Sequence, residues 1–367
     1  MKILHAVLSD GFYGSERYCI EVATAQSRAG HRVRILIANG RSDCAHAFRR
    51  EIELATAAIA NERTAGAIDL VAMPRWLPAV LHRPFAWGLL RLFAPDIVHT
   101  HLNPAARRIG RVAQRMGIPH VATMHIRYES REQSGLDGLI CYTQWQKGEI
   151  GPEFRGETTV VAAWVAGAVH AALARTTAPD VAALRAAWNA DDRTVVLGSV
   201  GRLVPEKGMD VLVQAFRAAF PQGSEPVRLV IVGGGPADQT QQMQQLAAGD
   251  ARIILSGPAS DIARYYRAFD TYVSASRYEP FGLTILEAMA AGCPLVVTRT
   301  RGPVEFLHEP SVLWAEPDDA ATLTAQLRAA FARGRGRTSY DLSPYTLSRA
   351  MAQIDEFYGR VLARKRP

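Results

Sequence analysis

Ser276-Arg-Tyr-Glu-Pro-Phe-Gly-Leu-Thr-Ile-Leu-Glu-Ala-Met-Ala-Ala-Gly-Cys-Pro294 decides how the chain is read. An apolar run from Asp270 to Ser276 predicts a strand that enters a loop carrying Glu279. A helix is predicted from about Gly282 to Ala291, stopped by Gly292 and Pro294. Glu287 then lies about one turn inside that helix, eight residues after Glu279. Between the two carboxylates, the backbone N–H groups of Phe281, Gly282 and Leu283 are free to bind an anion. Acceptors for hydroxyls at both ends and donors for negative charge in the middle suit a sugar nucleotide. Two solvated glutamates on an ordinary strand–loop–helix unit would have the same sequence, so the rest of the chain has to discriminate.

The 367 residues, 48% of them hydrophobic, suffice for two cores. Cys19, Cys44, Cys141 and Cys293 are scattered, without CxxC or a Cys/His metal spacing, which fits reduced thiols and argues against a disulfide framework or structural zinc. Met1-Lys-Ile-Leu-His-Ala-Val-Leu8 lacks the pattern of a signal peptide, and no apolar run approaches the roughly 20 residues that span a bilayer. The expected location is cytoplasmic.

Outward from the opening stretch, strands are predicted at Thr194–Val200, Arg228–Val232, Arg252–Ser256 and Pro294–Thr298, alternating with helices at Met209–Phe220, Ala237–Ala247 and Ile262–Ala268. The N-terminal half repeats the alternation: strands Lys2–Leu8, Val33–Ala38, Asp96–Thr100, Val121–Met124 and Leu139–Thr143, with a helix over Glu16–Arg28. Histidine-bearing loops are expected after two of these strands, with His99 and His101 in one and His125 in the other. From about Val160 to Asp192 the pattern weakens, and Thr176-Thr-Ala-Pro-Asp180 reads as a polar break, followed by a candidate helix at Asp180–Asn189, in an interdomain connection. Two doubly wound α/β domains follow, 1–168 and 169–346, with a last helix at about 347–367 expected to return to the first. Ligands in such sheets sit at the carboxyl ends of strands.

Three loops carry candidate chemistry. Gly201-Arg-Leu-Val-Pro-Glu-Lys-Gly208 places Arg202 and Lys207 at a strand end, where two cations would stabilise the charge of a departing pyrophosphate. It is not a Walker A sequence. Gly14, in Tyr13-Gly-Ser-Glu16, allows close approach of backbone to a phosphate, but no strand–GxGxxG–helix unit exists, which disfavours a dinucleotide oxidoreductase. Gly233-Gly-Gly-Pro236 reads better as a tight turn than as a phosphate loop. His125 at a strand end is placed to bond a sugar hydroxyl or a phosphate. His99 and His101 resemble half of a metal site, but no third ligand has a suggestive spacing, so no metal is expected.

Charge is uneven. Arg75, Arg83, Arg91, Arg107, Arg108, Arg111 and Arg115 lie in one stretch with a single acid, Asp96, for a local net charge of +6 against +7 for the chain. Within it, Arg75 to Phe93 mixes Trp, Phe and Leu with arginine, a composition suited to an anionic lipid surface. Pro78 and Pro84 are expected to prevent one continuous helix. Nucleic acid is a poorer partner, because exposed stacking platforms are not interleaved with the charge.

Taken together the chain resembles glycosyltransferase family 4. Gly201–Gly208 with Phe216, and Glu279/Glu287 as an E-x7-E pair, are the strongest matches. Gly14-Ser-Glu-Arg17, Ala29-Gly-His-Arg-Val33, Pro95-Asp-Ile-Val-His99 and Thr123-Met-His125 add to them in order. The resemblance implies a GT-B fold, two Rossmann-like domains facing a central cleft. It also implies retaining transfer of a hexosyl group from a UDP- or GDP-sugar, a substrate rather than a cofactor, with no obligatory metal. On these positions it implies that Gly14, Arg202 and Lys207 bind the donor diphosphate, and that Glu279 and His125 contact the donor sugar. Backbone at Phe281, Gly282 and Leu283 assists, and Glu287 holds the ribose. Departures from the family pattern occur at Tyr13-Gly14, at Ala163-Trp-Val-Ala-Gly167 and at Arg301-Gly-Pro-Val-Glu305; the last resembles members that build lipopolysaccharide core. The implied acceptor is a lipid-linked or lipopolysaccharide-core glycan, reached by peripheral attachment to the inner face of the cytoplasmic membrane. A UDP-sugar 2-epimerase of the same fold, or a catalytically inactive nucleotide-sugar-binding membrane protein, are the alternatives; product analysis without acceptor separates the first, and donor hydrolysis the second.

Overall fold

The structure is a computed structural model that describes residues 1–9, 14–39, 43–59, 66, 68–74 and 77–365. Tyr13, Arg75 and Trp76 lie outside the described residues. The chain divides into two compact units, Met1–Ala163 with Tyr345–Pro367, and Trp164–Pro344.

The first unit holds β1 (Lys2–Val7), β2 (Arg32–Asn39), β3 (Ile68–Pro74), β4 (Ile97–His101), β5 (His120–Thr123), β6 (Gly138–Cys141) and β7 (Glu157–Val160). They form one parallel sheet in the order β3-β2-β1-β4-β5-β6-β7. The winding direction reverses between β1 and β4, where such sheets open a crevice at their carboxyl ends. Near-continuous apolar runs, such as Ile3, Leu4, Ala6 and Val7, are what a strand covered on both faces requires. Helices Gly14–Arg28 and Leu347–Lys365 pack on each other, the latter within this unit.

The second unit holds β8 (Val195–Val200), β9 (Val227–Val232), β10 (Ile253–Gly257), β11 (Thr271–Ser274), β12 (Leu295–Thr298) and β13 (Leu313–Ala315), all parallel, in the order β10-β9-β8-β11-β12-β13. Helix Met209–Ala219 shows why it packs here: Leu212, Ala215, Phe216 and Ala219 recur at i, i+3, i+4 and i+7 and are buried with Leu197, Leu229 and Ile231 of the sheet. Burying Phe216 alone stabilises the unit by about 2–3 kcal/mol.

Four sequence expectations change. His99 and His101 are not in a loop: both lie inside β4 and are fully buried. Their alternate positions put them on one sheet face, where polar side chains of neighbouring elements satisfy them. Ala79–Phe93 is one helix despite Pro84. Pro78 precedes the helix, and the bond lost at Pro84 would have run to the carbonyl of Val80, on the exposed face where water replaces it. The weakly patterned region after Val160 holds a helix that the pattern does not announce, Gly167–Arg175, ahead of Ala178–Ala187, which matches the helix expected at Asp180–Asn189. Its polar break is a helix start: the Thr177 hydroxyl accepts from Asp180 N–H, and the Asp180 carboxylate accepts from Thr177 N–H. Finally β3, β7 and β13, short or partly exposed, escape the sequence pattern.

Candidate functional site

In the second unit the chain leaves β8 at Val200 and runs through the loop that ends at Gly208. Gly201 N–H donates to Val232 O at 3.0 Å and Leu203 N–H to Gly234 O at 2.9 Å, which seats this loop on the glycine turn after β9. The glycines of that turn are needed for packing: a Cβ at Gly233 would lie 1.8 Å from Gly201 O, and one at Gly235 2.3 Å from Leu203 O. Gly208 has φ +61°, and a Cβ there would lie 2.1 Å from Ala275 O. The loop is therefore pressed against the chain leaving β11.

That contact brings Lys207 to Glu279. The Lys207 ammonium donates to Glu279 Oε2 at 2.5 Å, and Ser276 Oγ donates to the same oxygen at 3.3 Å. Glu279 is only 7% exposed, so this pairing offsets the cost of burying a carboxylate. The loop is backed by helix Arg301–Phe306: a Cβ at Gly302 would meet Glu279 O at 2.4 Å and Pro280 O at 2.5 Å. Phe281 is buried and stacks on Phe306 with ring centroids 4.6 Å apart. Gly282, at φ +118°, turns the chain into helix Leu283–Ala290. The first helical bonds run from Ile285 and Leu286 to Gly282 O, so the N–H groups of Gly282, Leu283 and Thr284 precede the ladder at the positive end of the helix. Arg202 is exposed on the β8 loop.

Glu287 is buried one turn into the same helix, and the phenol of Tyr266 donates to its Oε2 at 2.7 Å. Burial and then the Glu287 charge push the Tyr266 hydroxyl well above the usual phenol range, so it stays a donor. Tyr272 donates to Thr284 Oγ1 at 2.7 Å; burial raises it too, and the charges of Glu279 and Glu287 both add to the rise. One phenol thus feels both carboxylates of the E-x7-E pair. A surface depression of about 580 Å³, lined by Asn189, Asp191, Thr194, Ser224 and Arg228 among others, lies elsewhere, at the amino ends of β8 and β9.

In the first unit Gly14 begins helix Gly14–Arg28, directly after residues outside the description. His125 follows β5, and both its ring nitrogens are engaged: Nε2 with His101 Nδ1 at 3.1 Å, Nδ1 with Tyr142 Oη at 2.7 Å. His101 Nε2 faces His5 Nδ1 at 3.1 Å, and His5 Nε2 meets Gln26 Oε1 at 2.7 Å. Because the amide oxygen only accepts, His5 Nε2–H donates to it; His101 Nε2–H then donates to His5, His125 Nε2–H to His101, and Tyr142 O–H to His125. Burial lowers His5 to about 4 and His125 to about 3, and takes His101 well below its ordinary value. Among the described residues, His5, Cys19 and His101 are the one group close enough to hold a metal ion. Here the two facing imidazole nitrogens already bond each other, so the chain is satisfied as it stands.

Sequence reasoning missed Tyr266 as the partner of Glu287, Ser276 as a partner of Glu279, and the link from His125 to His5. Tyr266 and the histidines lie on strands, helices or loops remote in sequence from the groups they serve, and no spacing announces such a contact; Ser276 shares the loop of Glu279, three residues away.

Comparison with known proteins bears on the family and the fold. Residues 12–189 match a family model described as Glycosyltransferase Family 4, and residues 194–333 match one described as Glycosyl transferases group 1. The GDP-mannose-dependent alpha-mannosyltransferase of Mycolicibacterium smegmatis is 28% identical over 63% of this chain and 63% of its own length. The lipopolysaccharide core biosynthesis mannosyltransferase LpsB of Rhizobium meliloti is 34% identical over 44% of this chain and 51% of its own length. The D-inositol 3-phosphate glycosyltransferase of Stackebrandtia nassauensis is matched over 57% of its length, so the chain spans less than two thirds of each of these relatives. Among solved structures, Anabaena Alr3699/HepE in complex with UDP-glucose superimposes with a TM-score of 0.74 at 19% identity, covering 100% of this chain and 98% of that one. The glycosyltransferase of Rickettsia africae superimposes with a TM-score of 0.73 at 20% identity, covering 99% and 96%. Two parallel Rossmann-like sheets make the fold GT-B, and the chain belongs to glycosyltransferase family 4.

Proposed function

We propose that this protein is a retaining glycosyltransferase that moves a hexosyl group from a UDP- or GDP-sugar to a hydroxyl of a lipid-linked or lipopolysaccharide-core glycan. The observation that carries the reading is the Lys207–Glu279 pair set just ahead of the open N-terminus of helix Leu283–Ala290, with Glu287 one turn inside it. The donor belongs to the second unit. Its diphosphate takes the helix N–H groups, Lys207 and Arg202; Glu279 accepts from sugar hydroxyls; Glu287, held by Tyr266, accepts from the ribose. As the sugar–phosphate bond breaks, charge grows on the diphosphate, and fixed cations and N–H groups stabilise it without reorganising. These groups fill the role a metal has elsewhere, so neither metal nor cofactor enters the step. A phosphate oxygen of the departing diphosphate takes the acceptor proton on the same face, which retains configuration. Gly14 and His125 belong to the first unit and keep the roles that the resemblance gives them, toward the donor diphosphate and the donor sugar; the acceptor is assigned to the same unit. The names of the relatives, GDP-mannose-dependent and lipopolysaccharide core biosynthesis among them, support the donor and acceptor classes.

A panel of UDP- and GDP-sugars in a thermal-shift assay tests the donor. The true donor at a hundred times its dissociation constant is expected to stabilise by about 2.7 kcal/mol, and to be consumed faster with an acceptor present than by slow hydrolysis without one. Absence of any shift across the panel, or conversion of the donor to an epimer without acceptor, overturns the reading.

A specific surface supports attachment to the cytoplasmic face of an anionic membrane. No helix among the described residues is long and apolar enough to cross one. Helix Ala79–Phe93 buries Ala86, Leu90 and Phe93, yet leaves Val80 79%, Trp87 51% and Leu92 87% exposed beside exposed Arg83 and Arg91. Apolar side chains that remain in water next to arginines suit the headgroup layer. Trp87→Ser with Leu92→Ser is expected to weaken co-sedimentation with phosphatidylglycerol vesicles at least about tenfold, since each side chain contributes about 1.5–3 kcal/mol when buried. Equal binding of the unaltered protein to neutral vesicles would reject the electrostatic part.

A further inference from the structure

Arg277 joins the two loops that carry Lys207 and Glu279. Its Nη1 and Nη2 donate to Oδ1 and Oδ2 of Asp210 at 2.8 and 2.7 Å, a two-point fork onto the first turn of helix Met209–Ala219. Nη1 also donates to Pro205 O at 2.7 Å, and Nε to Asp318 Oδ1 at 2.7 Å. The main chain repeats the tie: the N–H groups of Arg277 and Tyr278 donate to Glu206 O at 2.8 and 3.3 Å. Pro205, Glu206 and Lys207 form a single tight turn, so this one side chain and its backbone hold the turn from both sides.

We propose that Arg277 is a positioning residue for donor binding, which through Asp210 and the Pro205 carbonyl fixes the Lys207 ammonium against Glu279 before the donor arrives. The role rests on Lys207 and Glu279 being donor contacts. A lysine carries four rotatable bonds, and a loose turn adds backbone freedom; ordering both on binding would lower affinity. Arg277 removes that cost in advance. Lysine cannot replace it, because an ammonium does not make the planar fork.

The test is a double-mutant cycle read by calorimetry with UDP and with GDP. Arg277→Lys is expected to weaken binding of the recognised nucleotide about tenfold in the protein with Lys207, and less than about twofold in the Lys207→Ala background, where there is no ammonium to position. Asp210→Asn, which keeps volume but weakens the fork, is expected to reproduce the pattern should Arg277→Lys fold poorly. Equal losses in both backgrounds would mark Arg277 as a general structural clamp and overturn the proposal, as would unchanged binding in Arg277→Lys. Unchanged binding in Lys207→Ala alone overturns instead the assignment of Lys207 as a donor contact, and this role with it.

Discussion

Glu279→Ala is expected to lower turnover by about two to three orders of magnitude while leaving the fold intact, a loss typical of removing one fixed polar group from a charge-stabilising site. Glu279 is 7% exposed and has two side-chain partners, Lys207 and Ser276. On the proposed reading its removal takes away the acceptor for the sugar hydroxyls and at the same time frees the ammonium assigned to the diphosphate. Lys207→Ala is the reciprocal experiment, with a comparable loss and a further cost, since it leaves a buried carboxylate without its charge partner. The two changes share one interaction, so the double variant is expected to be little worse than the poorer single one. Glu279→Gln separates the parts: it keeps an acceptor oxygen and the volume but not the charge, and should fall between wild type and Glu279→Ala. Steady-state turnover, beside thermal melts that confirm folding, decides. Turnover of Glu279→Ala within a few-fold of wild type would show that the E-x7-E pair does not hold the donor.

What sequence displays and what it hides can be seen at this same site. Glu279, Gly282 and Glu287 are legible because strand, loop and helix follow one another without interruption, so spacing converts directly into position. Lys207 is legible as a strand-end cation, but its partner lies 72 residues away and becomes visible only in the sheet order, where β8 and β11 are neighbours. The helical periodicity that finds Met209–Ala219 is silent on Arg277, whose importance comes from what its side chain reaches. Proline misleads at Ala79–Phe93 because its penalty depends on whether the lost bond faces protein or water. Histidine misleads at β4 because its polarity suggests a loop, whereas His99 is satisfied inside the sheet by Tyr358 and Thr123 at 2.7 and 2.8 Å. In each case the missing information is a partner from another part of the chain, which is the part of folding that local pattern does not contain.

The same histidines predict that the two units differ in acid. His5, His99, His101, His120 and His125 all belong to the first unit, and burial is the leading cause that lowers every one of them. Only His170 and His308 fall in the second unit, and both are exposed. In the unfolded chain an imidazole takes up a proton near pH 6.5, whereas folded His5 holds out to about 4 and His120 and His125 to about 3. Between those limits the unfolded state binds more protons, so stability is full above pH 6.5 and falls as the pH drops toward the folded values. At pH 5 each such group has lost on the order of 2 kcal/mol. Asp355, raised by burial, works in the opposite direction, but it is one carboxyl against five imidazoles. The loss from a few such groups is comparable to the whole stability of a marginal domain, about 5 kcal/mol. Hydrogen exchange at pH 7, 6, 5 and 4, corrected for intrinsic rates, is therefore expected to show β1, β4 and β5 losing protection between pH 6 and 5 while β8, β9 and β11 keep theirs. The charge must go somewhere once a single imidazole is protonated. Tyr142, His125, His101, His5 and Gln26 share one directional chain of hydrogen bonds, so a proton added at one imidazole changes which nitrogens donate along its neighbours and couples the links to one another. Loss of protection in the first unit is accordingly expected to be steep in pH; a gradual decline shared by both units would show that the histidines titrate in place without unfolding the sheet.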